Sequence, residues 1–257
     1  MATEPVGGTP VMKQTERFMT GGCLVLLILL ILTGAGLVGT VGYTLWRIDN
    51  TTEKNRVAAE AELRNLIDHT ARESAQTLRA SATSDPVTLT ALIGQRTGAP
   101  VITYDTTHNE FTAVVEKAVI YQRAGILGLR PNWITTCVTL TYALGPTRTW
   151  RVNTTTRETV SCLPSKQIGD LVRSAKQVLE NLDNDLMTVT EAQLVLDQAR
   201  SPGRLTVKKV AHGKRTTIVT AVLTDMAGTV DQCYLLTLPR PGNEVPGPVT
   251  AAPASSC

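Results

Sequence analysis

The sequence predicts an α+β protein: one N-terminal transmembrane helix followed by two tandem helix-helix-β-meander units, each clipped by a disulfide. Three observations predict it. From Phe18 to Trp46 there is no Asp, Glu, Lys, Arg or His, and Cys23–Trp46 is 24 residues of almost unbroken Leu, Ile, Val and Gly. Four further cysteines form two pairs of matched spacing, Cys137 with Cys162 and Cys233 with Cys257, 25 and 24 positions apart. Ahead of the closing cysteine of each pair, helical apolar periodicity gives way to β-branched runs, twice and in the same order.

At about 1.5 Å per residue the apolar run reaches about 36 Å, enough to cross roughly 30 Å of hydrocarbon with some tilt. A cleaved signal peptide has an apolar region of roughly 7–15 residues, so a retained signal anchor is expected. The small residues Gly34, Ala35 and Gly36 leave cleavage as the alternative. The expected plan is a cytoplasmic tail at 1–20, a transmembrane helix at 21–47, a first α+β domain at 51–163 and a second at 165–257. The second includes a Pro-rich tail, 239–257. Flanking charge does not orient the span: Lys13 and Arg17 precede it, and Arg47, Lys54 and Arg56 follow.

The cysteines orient it instead. Cys137 and Cys233 each lie in a β-type run, WITTCVTLTYAL and VDQCYLLTL, and their partners follow turn-rich stretches. Spacing alone leaves three connectivities open, and the matched contexts favour Cys137–Cys162 with Cys233–Cys257. Such bonds persist in oxidising compartments, so the C-terminal part is expected outside the cytoplasm. Aromatics are only 4% of the chain, so the core buries less area per residue and covalent clips count for more.

The first unit opens with a long helix over about 51–82, with Asn50 as N-cap and Glu53 at N3. Arg56, Glu60, Arg64, Asp68 and Arg72 make a charged stripe beside an apolar one of Ala59, Leu63, Ile67, Ala71, Ala75 and Leu78. Asp85 caps a second helix whose first residue is Pro86. Strands follow at Val101–Tyr104, Phe111–Gln122, Trp133–Leu144 and Thr149–Val152, with AGILGLRPNW (124–133) as a connecting loop. The second unit repeats the order. A helix over 166–184 carries Ile168, Leu171, Val172, Ala175, Val178, Leu179 and Leu182, and a short helix is capped by Thr190. Strands come next at Arg204–Ala211, Thr216–Thr224 and Thr229–Leu238, and the tail is irregular unless Cys257 pins it.

The net charge is +3 overall and again +3 over 47–257, which gives no electrostatic footprint for nucleic acid. No nucleophile elbow, zinc-protease helix, P-loop or dinucleotide fingerprint is present. His69, His108 and His212 are isolated and read as solvated. Asp105, His108 and Glu110 cluster in one polar turn, a commonplace string. Asp183, Asp185 and Glu191 resemble a calcium loop but lack its glycine and spacing, so a turn is favoured. No cofactor and no metal is expected, and no catalytic residue is assigned.

One charged surface stands out: Arg200, Arg204, Lys208, Lys209, Lys214 and Arg215, with no acid between Asp197 and Asp225. It fits anionic headgroups, wall polymers or an acidic partner. Ordinary lysine protection of an edge strand is the favoured account of it, and Lys208 and Lys209 should alternate between sheet faces, which dilutes the patch. In the span, Ala35 with Gly39 and Gly36 with Thr40 have the small-residue spacing of packed helices, so a homodimer is weighed. Arg outnumbers Lys 17 to 8, which points to a GC-rich bacterial genome. The expected function is non-enzymatic: a partner-binding or scaffolding ectodomain of the cell envelope, bound to a protein. Alternatives are a ligand-sensing ectodomain, a component of a secretion- or conjugation-type envelope complex, or, less favoured, an envelope hydrolase.

Overall fold

The computed structural model describes residues 15–125, 128–146, 149–181, 187–199, 202–239 and 248–257, with side chains from Val25 onward. The fold is α+β, with a long apolar N-terminal helix, two four-stranded antiparallel sheets and two disulfides, Cys137–Cys162 and Cys233–Cys257. Two compact units are present: Met1–Arg56 with Gln122–Pro131, and Val57–Tyr121 with Asn132–Cys257.

In the first unit, helix α1 (Thr15–Ala80) exposes every side chain from Val25 to Arg47. Threonine hydroxyls within this stretch bond back to their own helix. Thr33 donates to the Leu29 oxygen at 2.8 Å and Thr40 to the Gly36 oxygen at 3.0 Å, so these threonine donors are met within the helix. The helix does not restart at Asn50. Thr51 Oγ1 donates to the Arg47 oxygen at 2.8 Å inside an unbroken α1, and neither Pro nor Gly interrupts Asp49–Asn50–Thr51. The segment read as a connector at 124–133 is largely strand: β2 (Glu110–Gly125) and β3 (Gly128–Leu144) extend into it. Asn55 Nδ2 donates to the Gln122 oxygen at 2.7 Å, and the Ala124 amide donates to Thr52 Oγ1 at 3.1 Å.

In the second unit, the α1 stripe Ala59, Leu63, Ile67, Ala71 and Leu78 packs with Phe111, Ala113, Leu140, Tyr142 and Trp150 from the first sheet. The charged stripe beside it faces solvent. Helix α2 (Pro86–Thr97) follows, and the sheet order is β1-β2-β3-β4, with β1 at Val101–Asp105 and β4 at Trp150–Arg157. One buried polar pair sits in this core: Ser74 Oγ and the Tyr142 hydroxyl meet at 2.7 Å.

The second helix pair is α3 (Leu163–Glu180) and α4 (Val189–Leu196), and its sheet is ordered β5-β6-β7-β8. These strands span Arg204–His212, Thr216–Thr224, Asp231–Pro239 and Thr250–Ala254. Ile168, Leu171, Ala175 and Leu179 pack on Val219, Leu223 and Leu236. Leu182, Asp183 and Asp185 lie outside the described residues. Thr188, and not Thr190, caps α4: its Oγ1 accepts from the Glu191 amide while the Glu191 carboxylate accepts from the Thr188 amide at 2.7 Å. The tail is not wholly irregular, because β8 pairs with β7 from Thr250↔Thr237 to Ala254↔Cys233. Thr229 and Val230 precede β7, their amides held by the Asp225 carboxylate at 2.6 and 2.8 Å.

Candidate functional site

A groove of about 1100 Å³ opens between α2, α3 and β8, with Val115 and Glu116 of β2 and the Pro100 segment beneath it. Each wall has a local cause. Helix α2 starts at Pro86, where the Asp85 carboxylate accepts from the Thr88 amide at 2.9 Å and hydroxyl at 2.6 Å. The Thr88 hydroxyl is the main reason the Asp85 carboxyl lies below its ordinary range. The helix ends at Gly98 in the left-handed conformation, φ 70°. Its middle carries Gly94, where a Cβ would sit 2.5 Å from Pro253 Cγ. The missing side chain is what lets α2 press on β8. Gly169 of α3 approaches Pro100 in the same way, with a Cβ position 3.3 Å from Pro100 Cγ.

Beneath the groove a set of hydrogen bonds joins the two sheets. Gln232, 3% exposed on β7, accepts from the Ile102 amide at 2.8 Å and donates to the Ala254 oxygen at 2.9 Å. The Tyr234 hydroxyl donates to the Pro100 oxygen at 2.8 Å, and burial pushes that phenol well up from its ordinary value. Ser165 Oγ donates to the Val114 oxygen at 2.7 Å. These bonds cap main-chain groups on the edge strand β1 and its neighbour β2.

The α3 wall is charged. Asp170 takes Lys166 at 3.4 Å and Arg173 at 3.0 Å, and Lys176 lies one turn on. Asp170 keeps 31% side-chain exposure, so these pairs set the sign of the wall more than they stabilise it. Three cations stand against Asp170 and Glu116 among the lining residues, and none of the lining residues is His or Cys. The groove offers a cationic helix face, a half-apolar floor and the outer edge of β8.

The basic residues picked out in the sequence do not converge on this groove. Arg204, Lys208 and Lys209 are exposed on β5, an edge strand, and Lys214 and Arg215 are exposed in the turn before β6. Arg200 lies outside the described residues. Lys208 and Lys209 do not alternate between buried and exposed faces. The β5–β6 register slips between Val207 and Lys209, and this β-bulge leaves both side chains in solvent.

The histidines stay apart. His69 lies 3.5 Å from Glu73, and His212 Nδ1 is 3.3 Å from Thr217 Oγ1. His108 Nδ1 meets Asp105 Oδ2 at 2.7 Å in the exposed β1–β2 turn. That hydrogen bond raises the imidazole pKa and is the main cause holding the carboxyl at about 2. Asp105 Oδ1 also accepts the Thr107 amide at 2.7 Å, so the Asp105–His108 string organises the turn. Among the described residues no cluster of three or more His, Cys, Asp or Glu could hold a metal ion.

No family model matches the chain. No curated protein matches it either. Among solved structures, one described as an "Ntf2 like protein involved in plasmid conjugation" aligns with 60% of this chain and 74% of its own, at 10% identity and a TM-score of 0.18.

Sequence reading missed the groove. The available signal was Gly94 inside an otherwise helical pattern, a position where a missing Cβ marks close packing.

Proposed function

We propose that this chain is a single-pass membrane protein with its N-terminus in the cytoplasm. Its disulfide-clipped part, read as domains 51–163 and 165–257, works outside as a partner-binding or scaffolding ectodomain of the cell envelope. The observation that carries this reading is the run Val25–Trp46, apolar and exposed along its whole length. Exposed apolar surface costs about 25 cal/mol per Å² in water, so such a rod calls for a lipid or protein surround. The two disulfides support an oxidising compartment for the sheets, and therefore the orientation.

The groove between α2, α3 and β8 supports the partner-binding role. The outer edge of β8 has no strand neighbour among the described residues, and the α3 wall supplies Lys166, Arg173 and Lys176. An extended, acidic peptide segment suits both features: main-chain groups for the edge, carboxylates for the wall. Two experiments test the reading. In intact cells, an external protease should reach the part after Trp46 without lysis; protection until the cells are broken would refute the orientation. A photo-crosslinking residue replacing Lys176 should form a protein adduct in native membranes, and one replacing Arg72 on the outer face of α1 should not. Equal yields, or none from position 176, would remove the groove from the proposal.

A further inference from the structure

The end of the β2–β3 hairpin lies against the stretch of α1 that follows the apolar run. Tyr43 and Trp46 are exposed at the end of that run, ring centroids 6.0 Å apart, as in the aromatic belt of a membrane interface. Thr52 is six residues beyond Trp46, about 9 Å along the helix. Along β2, Gln122 bonds to Asn55 and Ala124 to Thr52, so the strand runs back toward the apolar run as it approaches its turn. Gly125 and Gly128 close the described part of the hairpin, with a Cβ position at Gly125 lying 3.4 Å from the Gly128 oxygen.

Arg123, Leu129 and Arg130 are exposed at this hairpin end, beside Gln122 and Pro131, and Leu129 is 64% exposed. Neither arginine takes part in an ion pair among the described residues. Residues 47–56 and 122–131 together carry five cations, Arg47, Lys54, Arg56, Arg123 and Arg130, against Asp49 and Glu53. A cationic collar with an exposed leucine, fixed one to two turns past the aromatic pair, falls within the headgroup layer of a bilayer whose core the apolar run crosses.

We propose that the end of the β2–β3 hairpin is a second membrane contact, a foot that binds anionic lipid headgroups beside the transmembrane helix. The inference rests on the membrane-anchored reading above. Phosphate oxygens pair with the guanidinium groups of Arg123 and Arg130, while Leu129 enters the upper acyl boundary. The two hydrogen bonds to Asn55 and Thr52 set the height of the foot, so span and hairpin engage one surface together.

The test uses the full chain, with Cys23→Ser, reconstituted in vesicles of phosphatidylcholine with or without about one-third phosphatidylglycerol. An environment-sensitive fluorophore is attached through Leu129→Cys in one sample and Val38→Cys in another. The probe at 129 should be quenched by a headgroup spin label, not by one deep in the acyl chain, and more strongly in the anionic vesicles. The probe at 38 should be quenched by the deep label in both. Arg123→Gln with Arg130→Gln should lower the docked-to-undocked ratio roughly 25-fold, about fivefold per cation. A water-exposed probe at 129 with a deeply quenched probe at 38 overturns the foot and leaves the anchor standing. An unquenched probe at 38 overturns both. Equal quenching at 129 in neutral vesicles overturns the choice of anionic headgroups.

Discussion

Replacing Gln232 with Met should separate the two sheets energetically while leaving each intact. The side chain is 3% exposed and makes three hydrogen bonds: from the Ile102 amide at 2.8 Å, and to the Ala254 and Cys233 oxygens at 2.9 and 3.1 Å. Methionine has similar length and no polar atom, so it orphans the Ile102 amide on β1 and the Ala254 oxygen on β8. Each of the two buried orphans costs about 1–3 kcal/mol, and the more apolar side chain returns about 1 kcal/mol, for a net loss of roughly 1–5 kcal/mol. At a urea slope of about 3 kcal/mol/M this moves the midpoint down by about 1 M. Equilibrium unfolding of the full chain in detergent would measure it, with fluorescence reporting the buried Trp150 of the first core and far-UV circular dichroism reporting both sheets. Tyr234→Phe removes one bond to the Pro100 oxygen and should cost about 1 kcal/mol. Gln232 and Tyr234 both hold the segment Pro100–Ile102, so the double variant should lose less than the sum, by about 0.5 kcal/mol or more. A Gln232→Met variant within about 0.5 kcal/mol of wild type, or strictly additive losses, would show that the Gln232 amide does not hold the Pro100–Ile102 segment.

Three further perturbations test other parts of the fold. Burial raises Tyr142 to about 12, against an unfolded value of about 10, so the folded chain holds this proton longer than the unfolded one. Tyr142 should therefore make stability fall as pH rises from 10 to 12, by up to about 3 kcal/mol, and Tyr142→Phe should reduce the slope to the part that the buried Tyr234 leaves; an equal slope in both proteins would sink the assignment. Replacing Cys233 and Cys257 together with Ser reopens a loop closed over a sequence separation of 24 and should cost about 3.5 kcal/mol by urea unfolding, with a loss under about 1 kcal/mol counting against it. Gly94→Val forces its side chain into Pro253, a cost of about 1–3 kcal/mol against a helix-propensity gain below 1 kcal/mol, so a stabilised variant would show that α2 does not bear on β8.

What the sequence disclosed and what it concealed divide along physical lines. The stripe Ala59, Leu63, Ile67, Ala71, Ala75 and Leu78 is buried throughout, because a 3.6-residue period needs only one flat partner to be satisfied. The main strands were legible from their β-branched runs, since both sheets are antiparallel meanders with local pairings. The uninterrupted helix through Asn50 was not: an Asn followed three residues later by Glu reads as a cap, and only the continuation of the main-chain ladder overrides it. Nor was the hairpin arm, whose two glycines and Pro131 have the composition of a loop. There Gly128 adopts φ 112°, and hydrogen bonds from Asn55 and Thr52 supply what strand propensity does not. The bulge at Lys208 escaped for another reason, because strict alternation carries no hint of where the register slips.

The β8 segment shows why the groove was the least legible feature. Its sequence, Thr-Ala-Ala-Pro-Ala, has one β-branched residue and a proline that donates nothing, so local preference argues against a strand. It is a strand because β7 offers an edge, Gln232 holds the Ala254 oxygen, and Cys257 anchors the chain three residues later. One groove wall therefore depends on a covalent bond and a buried amide, while the helices around it rest on apolar packing. The Cys233–Cys257 bond holds the strand that forms a groove wall, while most of the buried residues of this core lie on α3, α4 and β5 to β7. Reduction should accordingly loosen the groove before it unfolds the sheet. Such a site is compatible with an oxidising compartment and poorly suited to a reducing one.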